Sequence, residues 1–304
     1  MDRDMWSFGT HFLLQKLLLG RPEHQSNQSI LEYNMKCLDD PSDELVQSID
    51  YGRWAIGTKL PDGSIKDMDS SGDIGLFCRG LLEKLLKEYN DRFTVIAGEE
   101  AAILEVNGEV LQGMITMDQS GNRITREADK IVVALGVNST SLCTNIHVTC
   151  PVYPAKGHLV TVSSTHDCKY NLTLDGGIGY AAPMANIDSE GRRLYRLSGF
   201  VDFTPDKDAN YERIDALLDA ARVHLPDLEM IDASACHRPI SADDRPLIGP
   251  SARYSNLYLC TGFGSRGWSI GLGSGSVLAN QILGMPCDID PEPYLPSRFS
   301  WGYK

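Results

Sequence analysis

The chain has 304 residues, 42% of them hydrophobic, and 28 basic against 41 acidic side chains give a formal net charge of −13 at pH 7. That length suffices for a full core in one large domain or two interleaved ones, and an ordinary composition without a long apolar run predicts no transmembrane span. The acidic balance argues against a nucleic-acid phosphate surface and gives no electrostatic reason to sit on an anionic membrane.

Trp6, Phe8, Phe12, Leu13, Leu14, Leu17, Leu18 and Leu19 stand at mostly helical spacing within Met1–Gly20, which predicts a buried core helix. Too few cations flank that stripe for a membrane-surface helix. Residues 21–29 are polar and read as a loop, and Ile30–Leu38 predicts a second short helix that ends at Pro41–Asp43. Tyr51–Ile65 alternates weakly around Gly-Thr and Asp-Gly turns, as a hairpin does.

Ser and Asp residues of the run Met68–Asp73 cap an amphipathic helix whose stripe is Ile74, Phe77, Cys78, Leu81, Leu82, Leu85, Leu86 and Tyr89, the spacing of one buried face. Phe93–Ile96 predicts a short strand. Ala102–Val106, Val110–Met117 and Arg123–Ala128 predict a meander with Asn-Gly and Ser-Gly-Asn turns. In Ala128–Ser139 an apolar run lies between an acidic start and Gly136, the pattern of a strand buried on both faces of a parallel sheet. By itself Gly136 does no more than end that strand.

Cys150–His158 reads CPVYPAKGH. After it, Leu159–Val162, Leu172–Leu174, Tyr180–Pro183 and Leu194–Phe203 predict strands. Ala209–Leu225 predicts a helix with Ile214, Leu217, Leu218, Ala221 and Leu225 on one face, closed by Pro226.

The stretch Cys236–Gly284 organises the rest. Arg238-Pro239 is followed by the acidic turn Ser241–Asp244 and by Pro246-Leu247-Ile248-Gly249-Pro250. Asn256–Thr261 has the length and β-propensity of a short buried strand. The run Gly262–Ser269 is too glycine-rich for a regular element, and Ser274–Leu283 predicts a helix capped by Ser274 or Ser276 and stopped at Gly284. Strand, glycine-rich turn and helix start together suit an electron-rich ligand edge, because glycine admits close backbone approach and the helix start favours negative charge. The same pattern also serves as a tight connection.

The order of these parts closely resembles the C-terminal signature of the FAD-dependent amino-acid oxidoreductases, the DAO family, with the D-amino acid dehydrogenases most similar. Arg238-Pro239, the run Pro246–Pro250 and the turn Thr261–Ser269 match in sequence, while Phe263 stands where the family commonly has His. The resemblance extends to Ala128–Gly136, to the Asp-x-x-Gly-Asp run at Asp69–Asp73 and to Pro151–His158. It implies an α/β fold: a glutathione-reductase-like FAD-binding domain lacking its first β-α-β unit, interleaved with an antiparallel-sheet substrate domain. The implied boundaries are a shortened helical and hairpin part of the substrate domain at 1–66, FAD-domain segments at 67–149 and 236–304, and the antiparallel substrate domain at 150–235.

The resemblance further implies oxidation of an amino acid at Cα with hydride passing to FAD. Arg238 would bind the substrate carboxylate, and Tyr180 would be a substrate-contacting aromatic. Gly136, Gly262, Gly264, Arg266, Gly267, Trp268 and Ser269 would border the flavin. His237, beside Arg238, is not needed as a base by direct hydride transfer. The family holds the FAD diphosphate on an N-terminal Gly-x-Gly-x-x-Gly unit that the first seventy or so residues do not contain. Two alternatives therefore stand beside the enzyme: a flavin-free relative serving as an assembly subunit, and a secondary-amine or modified-nucleoside oxidase. A small amino acid or amine is the expected ligand, nucleic acid is not expected, and a partner chain covering the exposed FAD-domain sheet would complete the fold.

The eight cysteines form no Cys-x-x-Cys and fit no zinc spacing, so no metal site is expected. Cys78 and Cys260, inside apolar runs, are expected to be buried thiols. Asn27, Asn138 and Asn171 begin Asn-x-Ser/Thr triplets, but nothing at the N-terminus reads as a secretory signal. The expected location is intracellular, cytoplasmic or mitochondrial.

Overall fold

The computed structural model describes residues 74–168, 171–174 and 178–299, together with strand residues 35–37, 54–56, 58–59 and 65–66. The chain divides into two compact units. The first is Met1–Phe77, His158–Phe200 and Ala209–Ser234, and the second is Cys78–Gly157, Val201–Asp208 and Ala235–Lys304. The helix expected over Met1–Gly20, the loop at 21–29 and the capping run Met68–Asp73 lie outside the described residues.

Early in the chain, β1 (Met35–Cys37) pairs antiparallel with β2 (Trp54–Ile56), and β3 (Thr58–Lys59) pairs with β4 (Ile65–Lys66) as the tip of the expected hairpin. Residues 35–37 are thus strand, not part of the short helix expected over Ile30–Leu38. A partner distant in sequence decides that, and local propensity does not reveal it.

Helix α1 (Ile74–Glu88) forms where its stripe predicts, but none of its residues is buried among the described ones. Leu81 and Leu82 are both 38% exposed, and Cys78 is exposed as well. Periodicity specified the helix; burial of its face requires a covering surface that the described residues do not supply. Phe93–Ile96 is coil rather than strand, with Val95 and Ile96 exposed.

In the second unit, β5 (Glu99–Asn107), β6 (Val110–Asp118) and β7 (Arg123–Glu127) form the expected antiparallel meander. Its turns place Gly108 at φ 63° and Gly121 at φ 81°, the left-handed region that glycine enters without a Cβ penalty. A second sheet has the order β14 (Leu247–Pro250), β15 (Leu257–Thr261), β8 (Ile131–Val133). β15 runs antiparallel to β14 and parallel to β8, with Leu257 opposite Ile131 and Leu259 opposite Val133. Leu247, Leu257 and Leu259 are fully buried and pack with Leu142 and Cys143 of α2 (Ser139–Thr144).

Strand β8 departs from expectation. Ile131 and Val133 are buried, but Val132 is 42% exposed, and β8 is the edge of its sheet. Among the described residues one face is packed and the other open, so this strand is half-buried there rather than buried on both faces.

A five-stranded sheet has the order β10 (Leu172–Thr173), β11 (Gly179–Ile187), β12 (Arg193–Phe203), β9 (Val152–Ser164), β13 (Glu229–Ser241). β13 was not legible in advance, because its first half lacks the alternation that marks a half-buried strand. In the first unit, helix α3 (Tyr211–Arg222) is capped by Asn210, whose side chain accepts from the Glu212 and Arg213 N–H groups. It buries Ile214, Leu217, Leu218 and Ala221 against Val160, Val162 and Leu197. Gly179 and Gly199 lie opposite each other on β11 and β12, and a Cβ on either would fall within 3 Å of the Leu217 methyl. Their bareness is what lets Leu217 seat on the sheet.

Helix α4 (Gly267–Leu283) begins seven residues before the expected cap, and Ser274 is buried within it. Gly284, at φ 68°, ends it as the sequence predicts. Gly267, Gly271, Gly273 and Gly275 cost helix propensity, which is why the sequence reads as a late start. Buried Ser274, Val277 and Leu278 supply the tertiary packing that overrides it.

Candidate active site

In the second unit three chain crossings meet at the carboxyl ends of the parallel strands β8 and β15, the place where open α/β sheets bind ligands. The first is Gly136, at φ 57°, just past β8, with the nearest atom to a Cβ there being Cγ of Pro239 at 3.9 Å. The second is Arg238-Pro239 near the end of β13. The third is the turn Thr261–Ser269.

Hydrogen bonds lace them together. The Thr261 hydroxyl donates to the Gly136 carbonyl at 3.0 Å, and the Gly264 N–H donates to the Pro239 carbonyl at 2.7 Å. Ile240 and Phe263 form an antiparallel bridge. Gly262 (φ 79°) and Gly264 (φ 57°) take left-handed backbone. At Gly262 a Cβ would also stand 3.0 Å from a Leu247 methyl, so this glycine is required twice over.

Arg238 is half-buried and lies on Gly157 of β9. A Cβ at Gly157 would stand 2.1, 2.4 and 2.5 Å from Nη1, Cζ and Nη2 of Arg238. The forked end of the guanidinium therefore occupies the space a side chain at 157 would take.

Lys156 and His237, the preceding residues on these strands, hold the segment 204–208. The Lys156 Nζ is buried and donates to Asp206 Oδ2 at 2.6 Å and to the Asp208 carbonyl at 3.0 Å. The His237 Nε2–H donates to the Asp206 carbonyl at 2.8 Å, so that nitrogen is engaged as a donor. The bond from Lys156, then the Asp208 N–H, holds the Asp206 carboxyl below its ordinary range. A carboxyl depressed in the folded state stabilises the fold above its unfolded value of about 3.9, and that contribution is lost as pH falls through the folded value. Chemical unfolding of Lys156→Met and wild type should therefore show a stability gap that is full at pH 7 and narrows below about pH 4. A gap constant between pH 7 and pH 2 would show that the pair is not its source.

Arg266, expected to border the flavin, is a buried cation. It is 6% exposed, stands at the N-cap position of α4 without a side-chain capping bond, and donates through Nη2 to the Asp244 carbonyl and to Asp244 Oδ2, the latter at 2.8 Å. Its charge is therefore balanced by Asp244. Asp244 itself sits at φ 57°. The neighbouring Asp243 accepts two bonds from Arg298, at 2.9 and 3.0 Å. Burial works to raise the Asp243 carboxyl, but the Arg298 and Arg245 N–H bonds outweigh it and the net displacement is downward. The acidic turn is thus a double clamp on the start of α4 and on the C-terminal segment. No sequence motif distinguished Asp243 and Asp244 as holders of these particular arginines.

Gly267 opens α4, and Trp268 and Ser269 are exposed on its first turn. Tyr180 belongs to the first unit, on β11, registered against Thr173 and Ser198 and 53% exposed. The missed residues Gly157, Lys156 and Asp206 carried one signal, the Lys-Gly pair in the run Cys150–His158. Among the described residues no cluster of His, Cys, Asp or Glu could hold a metal ion, and no helix is long and apolar enough to cross a membrane.

A flavin ring edge fits this arrangement. The glycine backbone at Gly136, Gly264 and Gly267 leaves room for close approach, and a Cβ on Gly267 would meet nothing nearer than 3.6 Å. The Ser269 N–H donates to the Arg266 carbonyl at 3.0 Å, and the positive end of the α4 dipole faces the turn. A diphosphate needs a set of N–H donors, and the described elements before β5 contain no glycine-rich strand-to-helix turn.

The model of the family described as FAD dependent oxidoreductase, DAO, matches residues 66–281. Among curated proteins, the chain is 29% identical over 235 residues to D-amino acid dehydrogenase of Vibrio vulnificus strain YJ016, covering 77% of this chain and 54% of that protein. It is 30% identical over 254 residues to D-amino acid dehydrogenase 2 of Mesorhizobium japonicum, covering 82% and 58%. The chain spans about half the length of the curated relatives it matches. Among solved structures, glycine oxidase from Bacillus cereus superposes with a TM-score of 0.52 at 25% identity, over 63% of this chain and 52% of that one. L-amino acid deaminase from Proteus vulgaris shares the fold with a TM-score of 0.68 at 16% identity, over 98% and 76%.

Proposed function

The chain belongs to the FAD dependent oxidoreductase (DAO) family, and we propose that it forms the substrate-facing part of an enzyme oxidising a D-amino acid at Cα. The observation that carries this reading is the Arg238 guanidinium packed on Gly157, next in sequence to Pro239, which neighbours Gly136 and accepts from the Gly264 N–H. A guanidinium fork pairs bidentately with a carboxylate and thereby fixes the orientation of Cα. D-Amino acids are the class named by the curated relatives.

FAD, when bound, supplies the hydride acceptor. Gly136, Gly262, Gly264, Gly267, Trp268 and Ser269 would border its ring, with the start of α4 favouring negative charge at the near edge. Arg266 acts on that edge indirectly, since its cation is held by Asp244. His237 is occupied at Nε2 by the Asp206 carbonyl, which agrees with a reaction that asks no base of it. The same reading puts a partner chain bearing the diphosphate-holding unit along the edge of β8 that no described strand pairs. The exposure of Val132 and Leu135 supports that placement.

The visible spectrum of the purified chain, taken before and after excess FAD, tests the cofactor assignment. Flavin bands that survive gel filtration are expected if the described turn suffices to retain the ring. A chain that stays colourless with FAD, alone and with a chain supplying the diphosphate unit, would overturn the assignment.

A further inference from the structure

We propose that Gly157 is the positioning residue for Arg238: its missing side chain is the seat on which the guanidinium lies, and this seat sets carboxylate affinity. The second half of that statement rests on the carboxylate reading of Arg238 given above. The first half rests on geometry alone.

Three guanidinium atoms fall within 2.5 Å of the position a Cβ would take at Gly157, closer than any real Cβ contact. The backbone there is not left-handed, since Gly157 is absent from the positive-φ residues. Alanine is thus conformationally allowed at 157, and the three atoms nearest its Cβ would all belong to the guanidinium. The backbone is also held from the adjacent position, where the buried Lys156 Nζ bonds Asp206 and the Asp208 carbonyl. A long side chain yields more readily than a strand held at the adjacent residue, so an added methyl moves the guanidinium and not the strand.

The size of that movement decides the consequence. Restoring ordinary van der Waals separation displaces the guanidinium by more than about 1 Å, and a misplacement of that order costs about 10²-fold in a well-aligned site. Stability should change little, because a long side chain swings aside without opening a cavity. Glycine at 157 is therefore explained by placement of the fork rather than by folding.

The test compares wild type, Gly157→Ala, Arg238→Lys and the double variant. One readout is the Arg238 Nε–H resonance of ¹⁵N-labelled protein without ligand, assigned by its loss in Arg238→Lys. The other is D-alanine affinity by calorimetry, with urea unfolding midpoints as the folding control. Gly157→Ala should move the resonance, weaken D-alanine about 10–100-fold and leave the midpoint nearly unchanged. In the Arg238→Lys background the same alanine should cost much less, because the slimmer ammonium does not lie on residue 157. An unmoved resonance overturns the proposal, as does a moved resonance with unaltered affinity or an equal alanine penalty in both backgrounds. A moved resonance in a protein whose wild type ignores D-alanine sustains Gly157 as the seat of Arg238 and overturns the carboxylate reading instead.

Discussion

Arg238→Ala is expected to lower kcat/KM for a D-amino acid by about 10²–10³-fold in the FAD-loaded enzyme, the loss typical of truncating one partner of a partly desolvated, hydrogen-bonded charge pair. Two comparisons make the result specific. An amine of the same shape but without the carboxylate should be oxidised equally by wild type and variant. Arg238→Lys should regain only part of the loss, since an ammonium keeps the charge and loses the planar fork. Equal losses for substrates with and without the carboxylate would remove Arg238 from the recognition role and leave it a structural residue of β13. Because the arginine is half-buried and its seat is a glycine, the variant should fold normally.

Leu259→Ala should lower the unfolding free energy by about 3 kcal/mol in urea titration, in the range for fully buried leucines whose surroundings cannot collapse. Leu259 is wholly buried at the centre of the β14-β15-β8 sheet, opposite both Gly249 and Val133. The companion measurement is on β8. Val133→Thr buries a hydroxyl and should cost about 1–3 kcal/mol, whereas Val132→Thr, on the open face, should stay within about 0.5 kcal/mol of wild type. A large cost at Val132 would mean that its face is covered in solution, and would locate the covering surface by the residue it touches.

The glycine-rich turn was legible in the sequence because its constraints are local. Gly262 and Gly264 take backbone conformations that other residues adopt only under strain, so the chemistry of the residue and the shape of the turn are one fact. The meander was legible for the same reason, as alternation and turn glycines report φ and facing directly. Helix α4 shows the limit. Its glycines signal a late start, yet the helix begins at Gly267 because contacts from Ser274, Val277 and Leu278 outweigh propensity. Residues 35–37 and the strand β13 show it again, since a ladder partner far along the chain decides what local preference leaves open.

The charged pairs lie wholly on the tertiary side. Arg266 reads as one residue of a glycine-rich turn until Asp244, in the turn after β13, is found against it. Lys156 reads as part of a motif until Asp206 is seen at its Nζ, and Gly157 is unremarkable until Arg238 lies upon it. Burial of faces is the last such case: the stripe of α1 and the apolar run of β8 specify which residues can be buried, but a stripe carries no information about whether a surface exists to meet it. The amino-acid sequence alone determined the family and the strand-turn-helix order, and it singled out Arg238 as a candidate, because these depend on residue type and short spacing. Only the tertiary structure decided where the guanidinium rests, which charges are spent on one another and which faces stay open, because those depend on distances between residues that the chain keeps far apart.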